Sequence, residues 1–139
     1  QAGAIKSLAN TLKLDYAQFL ELEVFTRFGA MADERTMKKI EHGKRLRAVL
    51  KQHEYSPVRL SLQVAFLLAV AEGRVDKLPL SAVDKFRAAL KERLPEQCPR
   101  AAEAIDKTNQ LPDDTRKALL AVIDDCIADL TDSEEDAQT

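Results

Sequence analysis

Two histidines, two cysteines, a few paired acids and one run of cations are the residues of this protein best suited to chemistry. Nucleophilic catalysis needs a serine or cysteine beside a base that a third group orients. Neither His42 nor His53 has such partners at a recognisable spacing. Glu41 and His42 are adjacent, and adjacent residues on a helix do not face one another, so they make no metal site. Cys98 and Cys126 have no further cysteine or histidine at zinc-ligand spacing, and two cysteines do not make a disulfide framework. They read as free core thiols in a reducing compartment. The acid pairs Asp33-Glu34 and Asp124-Asp125 read as solvated helix faces. The expectation is a protein with no catalytic and no metal-binding residue.

The sharpest charge feature runs from Arg35 to Lys51, where Arg35, Lys38, Lys39, Lys44, Arg45, Arg47 and Lys51 stand against Glu41. Such a run is either a basic patch for an anion or an acidic protein, or the solvent side of a surface helix pair. Nucleic acid fits poorly, because no aromatic residue for stacking lies in the run and the net charge is −2. Four glycines, at 3, 29, 43 and 73, are too far apart for a phosphate loop or a dinucleotide fingerprint. The longest apolar run, Val64 to Ala71, is less than half of the ~20 residues of a membrane span, so no direct membrane insertion is expected. A start at Gln1 without methionine reads as a processed or excised piece.

The elements that bear these residues follow from composition and spacing. A length of 139 residues suits one domain. Glycine (4) and proline (5) together fall to about half of their usual share of roughly 12%, so turns are few and elements long. Alanine (20) and leucine (19) outweigh the β-branched residues, which favours helix. The fold class is all-α: a single bundle of about seven helices over residues 1–131, with an acidic, disordered tail at 132–139.

Ile5, Leu8, Ala9 and Leu12 mark a first helix over about Ala2 to Thr11. Asp15 and Gln18 form a capping-box pattern that starts a second, ending at Gly29. Four of the seven aromatic residues, Tyr16, Phe19, Phe25 and Phe28, fall before residue 30 and predict an aromatic core there. Asp33 caps a third helix, bent or broken near Gly43, where close backbone packing is a plausible reason for a glycine. Tyr55-Ser56-Pro57 ends it. Leu60 to Ala71 is apolar all round, the mark of a central helix, and Gly73 terminates it. Ser81 caps the next helix and Pro95 stops it; Pro99 opens a shorter one through about Thr108. Pro112 and Asp113 open the last, with Leu119, Ile123, Cys126, Ile127 and Leu130 inward. Arg47-Ala-Val-Leu-Lys51 resembles Arg87-Ala-Ala-Leu-Lys91, but nothing matches on either side, so no repeat is inferred.

The run Ile5-Lys-Ser-Leu-Ala-Asn-Thr-Leu-Lys-Leu-Asp15-Tyr-Ala-Gln-Phe-Leu-Glu-Leu-Glu-Val-Phe25-Thr-Arg-Phe-Gly29 resembles the opening of the C-terminal helical domain of the alpha subunit of F-type ATP synthases. The resemblance continues through Gly43-Lys-Arg-Leu-Arg-Ala-Val-Leu-Lys-Gln52, Tyr55-Ser-Pro57, Gln63-Val64, the Gly73-x-x-Asp76 turn and the Phe86 to Leu90 helix. It covers essentially Gln1 to Leu130 and is most specific in the first sixty residues.

The resemblance implies a fragment of a subunit whose phosphate loop lies in a preceding domain. Such a fragment is not an enzyme and binds no cofactor by itself; ATP or ADP with Mg belongs to the full subunit. The implied partners are the beta subunits and the gamma subunit of the central stalk, and the implied location is the cytoplasmic face of a membrane in a peripheral complex. The loop after the Phe-Gly helix end faces the rotating stalk in this family. Here it has Asp33, Glu34 and Arg35 as its charges, with Ala30 and Met31 less polar than the family pattern. Two glutamines of the family's Lys-Gln-x-Gln-Tyr-Ser-Pro turn approach adenine at the non-catalytic nucleotide site. Gln52 keeps the first, and Glu54 replaces the second with a carboxylate that accepts hydrogen bonds but does not donate them. The alternative reading is a stand-alone helical adaptor that binds an acidic partner through the Arg35–Lys51 face.

Overall fold

The structure, a computed structural model, describes the backbone of residues 3–27, 33–53 and 59–138. Six α-helices are present among the described residues: α1 (Gly3–Arg27), α2 (Glu34–His53), α3 (Leu60–Ala71), α4 (Val83–Gln97), α5 (Pro99–Thr108) and α6 (Asp113–Gln138). Two short 3₁₀ turns, Val75–Lys77 and Leu80–Ala82, link α3 to α4. The all-α class and the helical bundle agree with expectation, and six helices replace seven for a local reason. The two helices expected before residue 29 run on as α1, because nothing between Thr11 and Asp15 breaks the backbone ladder. The Thr11 hydroxyl bonds the Ser7 carbonyl at 2.9 Å, and Asp15 lies inside the helix rather than at its start.

The apolar segment sits in the middle, as its all-round hydrophobicity predicts. Helix α3 touches α1, α2, α4, α5 and α6, and eight of its twelve residues are buried. One apolar cluster extends from Leu12 of α1 to Ile127 of α6, with Phe66 and Phe86 as its largest side chains. The start of α3 is held from across the bundle: Asp106 of α5 accepts hydrogen bonds from the Ser61 backbone N–H at 2.9 Å and its hydroxyl at 3.1 Å. At its end, Gly73 adopts a positive φ of 70°. The Gly73 N–H then reaches the Val70 carbonyl at 3.0 Å and the Arg74 N–H the Ala69 carbonyl at 2.9 Å, a Schellman stop.

Four expectations need correction. The Ser81 side chain makes no cap; Ser81 lies in a 3₁₀ turn, and α4 starts at Val83. Pro95 lies inside the last turn of α4, which continues to Gln97, because a proline costs one backbone bond and a helix end can absorb that loss. Helix α6 continues to Gln138, through the segment expected to be disordered, since its glutamates and alanine are good helix formers and neither glycine nor proline stops it. The aromatic core expected before residue 30 is not formed by Phe25, which is 63% exposed; Phe28 lies outside the described residues. Phe19 is the buried aromatic of α1, and the central core takes its aromatics from Phe66 and Phe86. Cys126 is buried in that core, Cys98 is half-buried, and both are free; burial raises both thiol pKa values.

Gly43 is buried inside an uninterrupted α2, and its expected role in close packing is met. A Cβ at this position would overlap the Phe19 side chain, coming to 2.6 Å from the Phe19 Cβ, which cannot swing aside as a ring tip can. Overpacking of this kind costs about 1–3 kcal/mol. Gly43→Ala is expected to lower stability by about 2–3 kcal/mol in chemical denaturation. Combined with Phe19→Leu, its effect is expected to fall short of the sum of the two single changes, because the second change removes part of the clash. Strict additivity would show that the two residues do not press on one another.

Candidate functional site

The residues singled out for function lie on or beside α2, so the geometry of that helix decides what they can do. Phe19 of α1 rests on the bare backbone at Gly43. The Arg47 guanidinium lies over the Phe19 ring, 4.7 Å from its centroid, within cation–π range. Glu23, one helical turn along α1, accepts a 2.7 Å hydrogen bond from Arg47 Nη2. That bond lowers the Glu23 pKa and raises that of Arg47. The same arrangement recurs in the core, where the Arg87 guanidinium of α4 lies 4.9 Å from the Phe66 ring of α3. The two look-alike segments thus share a packing device, an arginine laid over a phenylalanine of the neighbouring helix.

Asp33 performs the capping role read from the sequence. Its carboxylate accepts a 2.7 Å hydrogen bond from the Thr36 backbone N–H, and its carbonyl accepts the Met37 N–H at 2.9 Å. The hydrogen bond from Thr36 holds the Asp33 carboxyl below its ordinary pKa. Glu34 pairs with Lys38 at 3.7 Å, one turn on. Asp33, Glu34 and Arg35 are all exposed and cluster at the N-terminus of α2. Beside them an open cleft of about 690 Å³ runs between α1 and α2. Its walls bear both signs, with Asp15 on the α1 side and Asp33, Glu34, Arg35, Lys38 and Lys39 on the α2 side, so it holds no single-sign field for an anion.

Gln52 occupies the last turn of α2, eighteen residues from Glu34, which at 1.5 Å per residue is about 27 Å away. The two predicted sites therefore lie at opposite ends of one helix. The Gln52 side chain, Glu54, Ala30 and Met31 lie outside the described residues.

Much of the basic run is engaged within the fold. Arg45 is buried, and its Nε and Nη2 donate to the Leu78 carbonyl at 2.9 and 2.7 Å. Its Nη1 donates to the Glu41 carbonyl at 2.7 Å, and Lys44 pairs with the Glu41 carboxylate at 3.1 Å. Arg47 serves Phe19 and Glu23 as described. A contact that sequence reasoning missed lies one turn before Arg45: His42 Nδ1 stands 2.9 Å from both carboxylate oxygens of Asp76. No local pattern signals a pair 34 residues apart, although His42 and the Gly73-x-x-Asp76 turn each stand out separately. Among the described residues, no group of three or more His, Cys, Asp or Glu side chains could hold a metal ion.

Comparison with known proteins places this geometry in context. Residues 1–126 match the model of a family described as the ATP synthase alpha/beta chain, C terminal domain. The chain is 36% identical over 135 residues, 97% of its length, to ATP synthase subunit alpha 1 of Shewanella frigidimarina. It is 39% identical over 122 residues, 88% of its length, to ATP synthase subunit alpha 2 of Albidiferax ferrireducens. These stretches are 26% and 23% of the two relatives, so the chain spans about a quarter of the length of the curated relatives it matches.

Replacement of Arg45 tests the tie between α2 and the α3–α4 connection. Arg45→Met keeps the stem and removes both donors from the Leu78 carbonyl; it is expected to lower stability by about 2–3 kcal/mol in urea titration. At the helix start, Asp33→Asn is expected to preserve the melting temperature and Asp33→Ala to lower it, because asparagine caps as well as aspartate.

Proposed function

The protein belongs to the family of C-terminal domains of ATP synthase alpha and beta subunits, and on that premise we propose that it is the C-terminal domain of the alpha subunit of a rotary F-type ATP synthase. The observation that supports this reading most strongly is similarity to alpha subunits over 97% of the chain. The domain contributes to the alpha/beta ring, contacts the central stalk and bears load during ATP synthesis coupled to ion transport. Its partners are the beta subunits and the gamma subunit. It is a structural part and not a catalytic one, working at the cytoplasmic face of a membrane within a peripheral complex. No helix among the described residues is long and apolar enough to cross a membrane.

The stalk-facing element is the tip between α1 and α2, with Asp33, Glu34 and Arg35 as charges and Ala30 and Met31 beside them. A tip transmits force only if the helix behind it is anchored, and the Phe19–Gly43 contact, the Arg47 clamp and the buried Arg45 anchor the middle of α2. At the other end of α2, Gln52 and Glu54 form a wall of the non-catalytic nucleotide site of the full subunit. An amide and a carboxylate suit an adenine edge, Glu54 accepting from the exocyclic amino group. The phosphates of ATP or ADP and their Mg ion need a phosphate loop, which the four scattered glycines of this sequence do not form. The adaptor reading is weaker, because Arg45 and Arg47 are engaged within the fold instead of facing a partner.

Two experiments test the proposal. Titration calorimetry of the protein with Mg-ATP is expected to show no binding, and tight binding would overturn the assignment of the nucleotide phosphates to another domain. In the complete synthase, Glu34→Ala with Arg35→Ala is expected to alter the ratio of ATP made to ions moved while leaving the melting temperature of the domain unchanged. A loss of stability without a change in coupling would make the tip an ordinary turn.

A further inference from the structure

We propose that His42 and Asp76 form a proton-operated latch, which fixes the outer half of α2 to the α3–α4 connection and sets how firmly the N-terminal turns of α2 are held. The proposal concerns this protein itself and does not depend on the assembly in which it works. Its starting point is how little else holds that half of the helix. Between Glu34 and His42 the buried residue is Ile40; Thr36, Glu41 and His42 are half-buried, and Glu34, Arg35, Met37, Lys38 and Lys39 are exposed. With so little apolar burial, polar ties to other elements decide how often this end of α2 frays.

Two such ties lie one turn apart and reach the same connection. Arg45 bonds the Leu78 carbonyl through a guanidinium, the side-chain group that stays protonated in proteins. His42 meets both oxygens of Asp76 in the preceding 3₁₀ turn at 2.9 Å. An imidazolium with a carboxylate is a charge-assisted pair, whereas neutral imidazole offers at most one donor and only in one tautomer. The outer tie is therefore the one that can change at physiological pH. It is also the one nearer the tip.

The groups around His42 set the direction. Asp76 faces it from the 3₁₀ turn and Asp15 from α1, both favouring the charged ring. Burial and Arg45 on its own helix oppose this, and the cleft beside the ring is lined by Asp33 and Glu34 as well as by Arg35, Lys38 and Lys39. The hydrogen bond to Asp76 outweighs these, so the folded pKa lies above the ordinary 6.5. A raised folded pKa means that the stabilisation is complete below the unfolded value and disappears as pH rises through the folded one. The latch is closed below the ordinary histidine pKa of 6.5 and opens as pH rises through the higher folded value.

Hydrogen exchange of the protein, measured at about pH 6 and about pH 8 and corrected for intrinsic rates, reads the latch directly. Residues 36–42 are expected to be roughly threefold or more better protected at the lower pH, while α3 changes little. His42→Gln is expected to remove the pH dependence at the low level of protection, and His42→Arg to remove it at the high level. If either variant folds poorly, a proton NMR titration of the His42 ring in the unaltered protein decides alone, with a midpoint above 6.5 expected and a lower midpoint in Asp76→Asn. Equal protection at both pH values, or a His42 midpoint at or below 6.5, overturns the proposal.

Discussion

The seating of the Phe19 ring against the bare backbone of Gly43 sets the geometry on which the rest depends. A glycine in mid-helix costs about 1 kcal/mol relative to alanine, so its presence in α2 demands a return. The return is contact between two long helices closer than any side chain at position 43 would permit. Arg47 then covers the ring and Glu23 holds Arg47, so one small absence organises three side chains on two helices. Without this seat, α2 would have to move away from α1, and its ties to the Leu78 carbonyl and to Asp76 would shift with it.

Helix α2 thereby becomes a strut. Its outer end bears the charged tip at Asp33 to Arg35, its inner end bears Gln52, and its middle is tied to the central helix through the α3–α4 connection. The arginine ties and the glycine seat hold the middle of the strut, while the histidine tie lies nearer its outer end. Stiffness along the strut is thus uneven by construction: firm where Leu46 and Val49 enter the core, weaker toward the tip, where burial is sparse and one polar contact titrates.

The parts of this arrangement that were legible in the sequence are those governed by local pattern. The all-round apolar run gave α3 its central place, Gly73 its stop, Pro99 the start of α5, and Asp33 its cap. The misreadings share one cause: a local signal present where longer-range context decided otherwise. Asp15 and Gln18 look like a helix start, yet no breaker precedes them and the ladder runs through. Ser81 looks like a cap, but a 3₁₀ turn uses that position. Phe25 is aromatic and lies on α1, yet its side of the helix turns away from the core. The basic run looked like a surface feature because sequence does not show that Arg45 finds a carbonyl 33 residues away or that His42 finds an aspartate 34 away. Long-range polar pairing has no periodicity to announce it.

On the function proposed above, the outer end of α2 meets the rotating stalk. A single cysteine at Glu34 in the assembled synthase, with a second on the central stalk, tests it by disulfide formation during slow turnover. Cross-linking at Glu34 that stops rotation, with none from a control cysteine at exposed Glu92 of α4, is the expected result. Absence of a Glu34 cross-link under conditions where other stalk contacts form would contradict the claim.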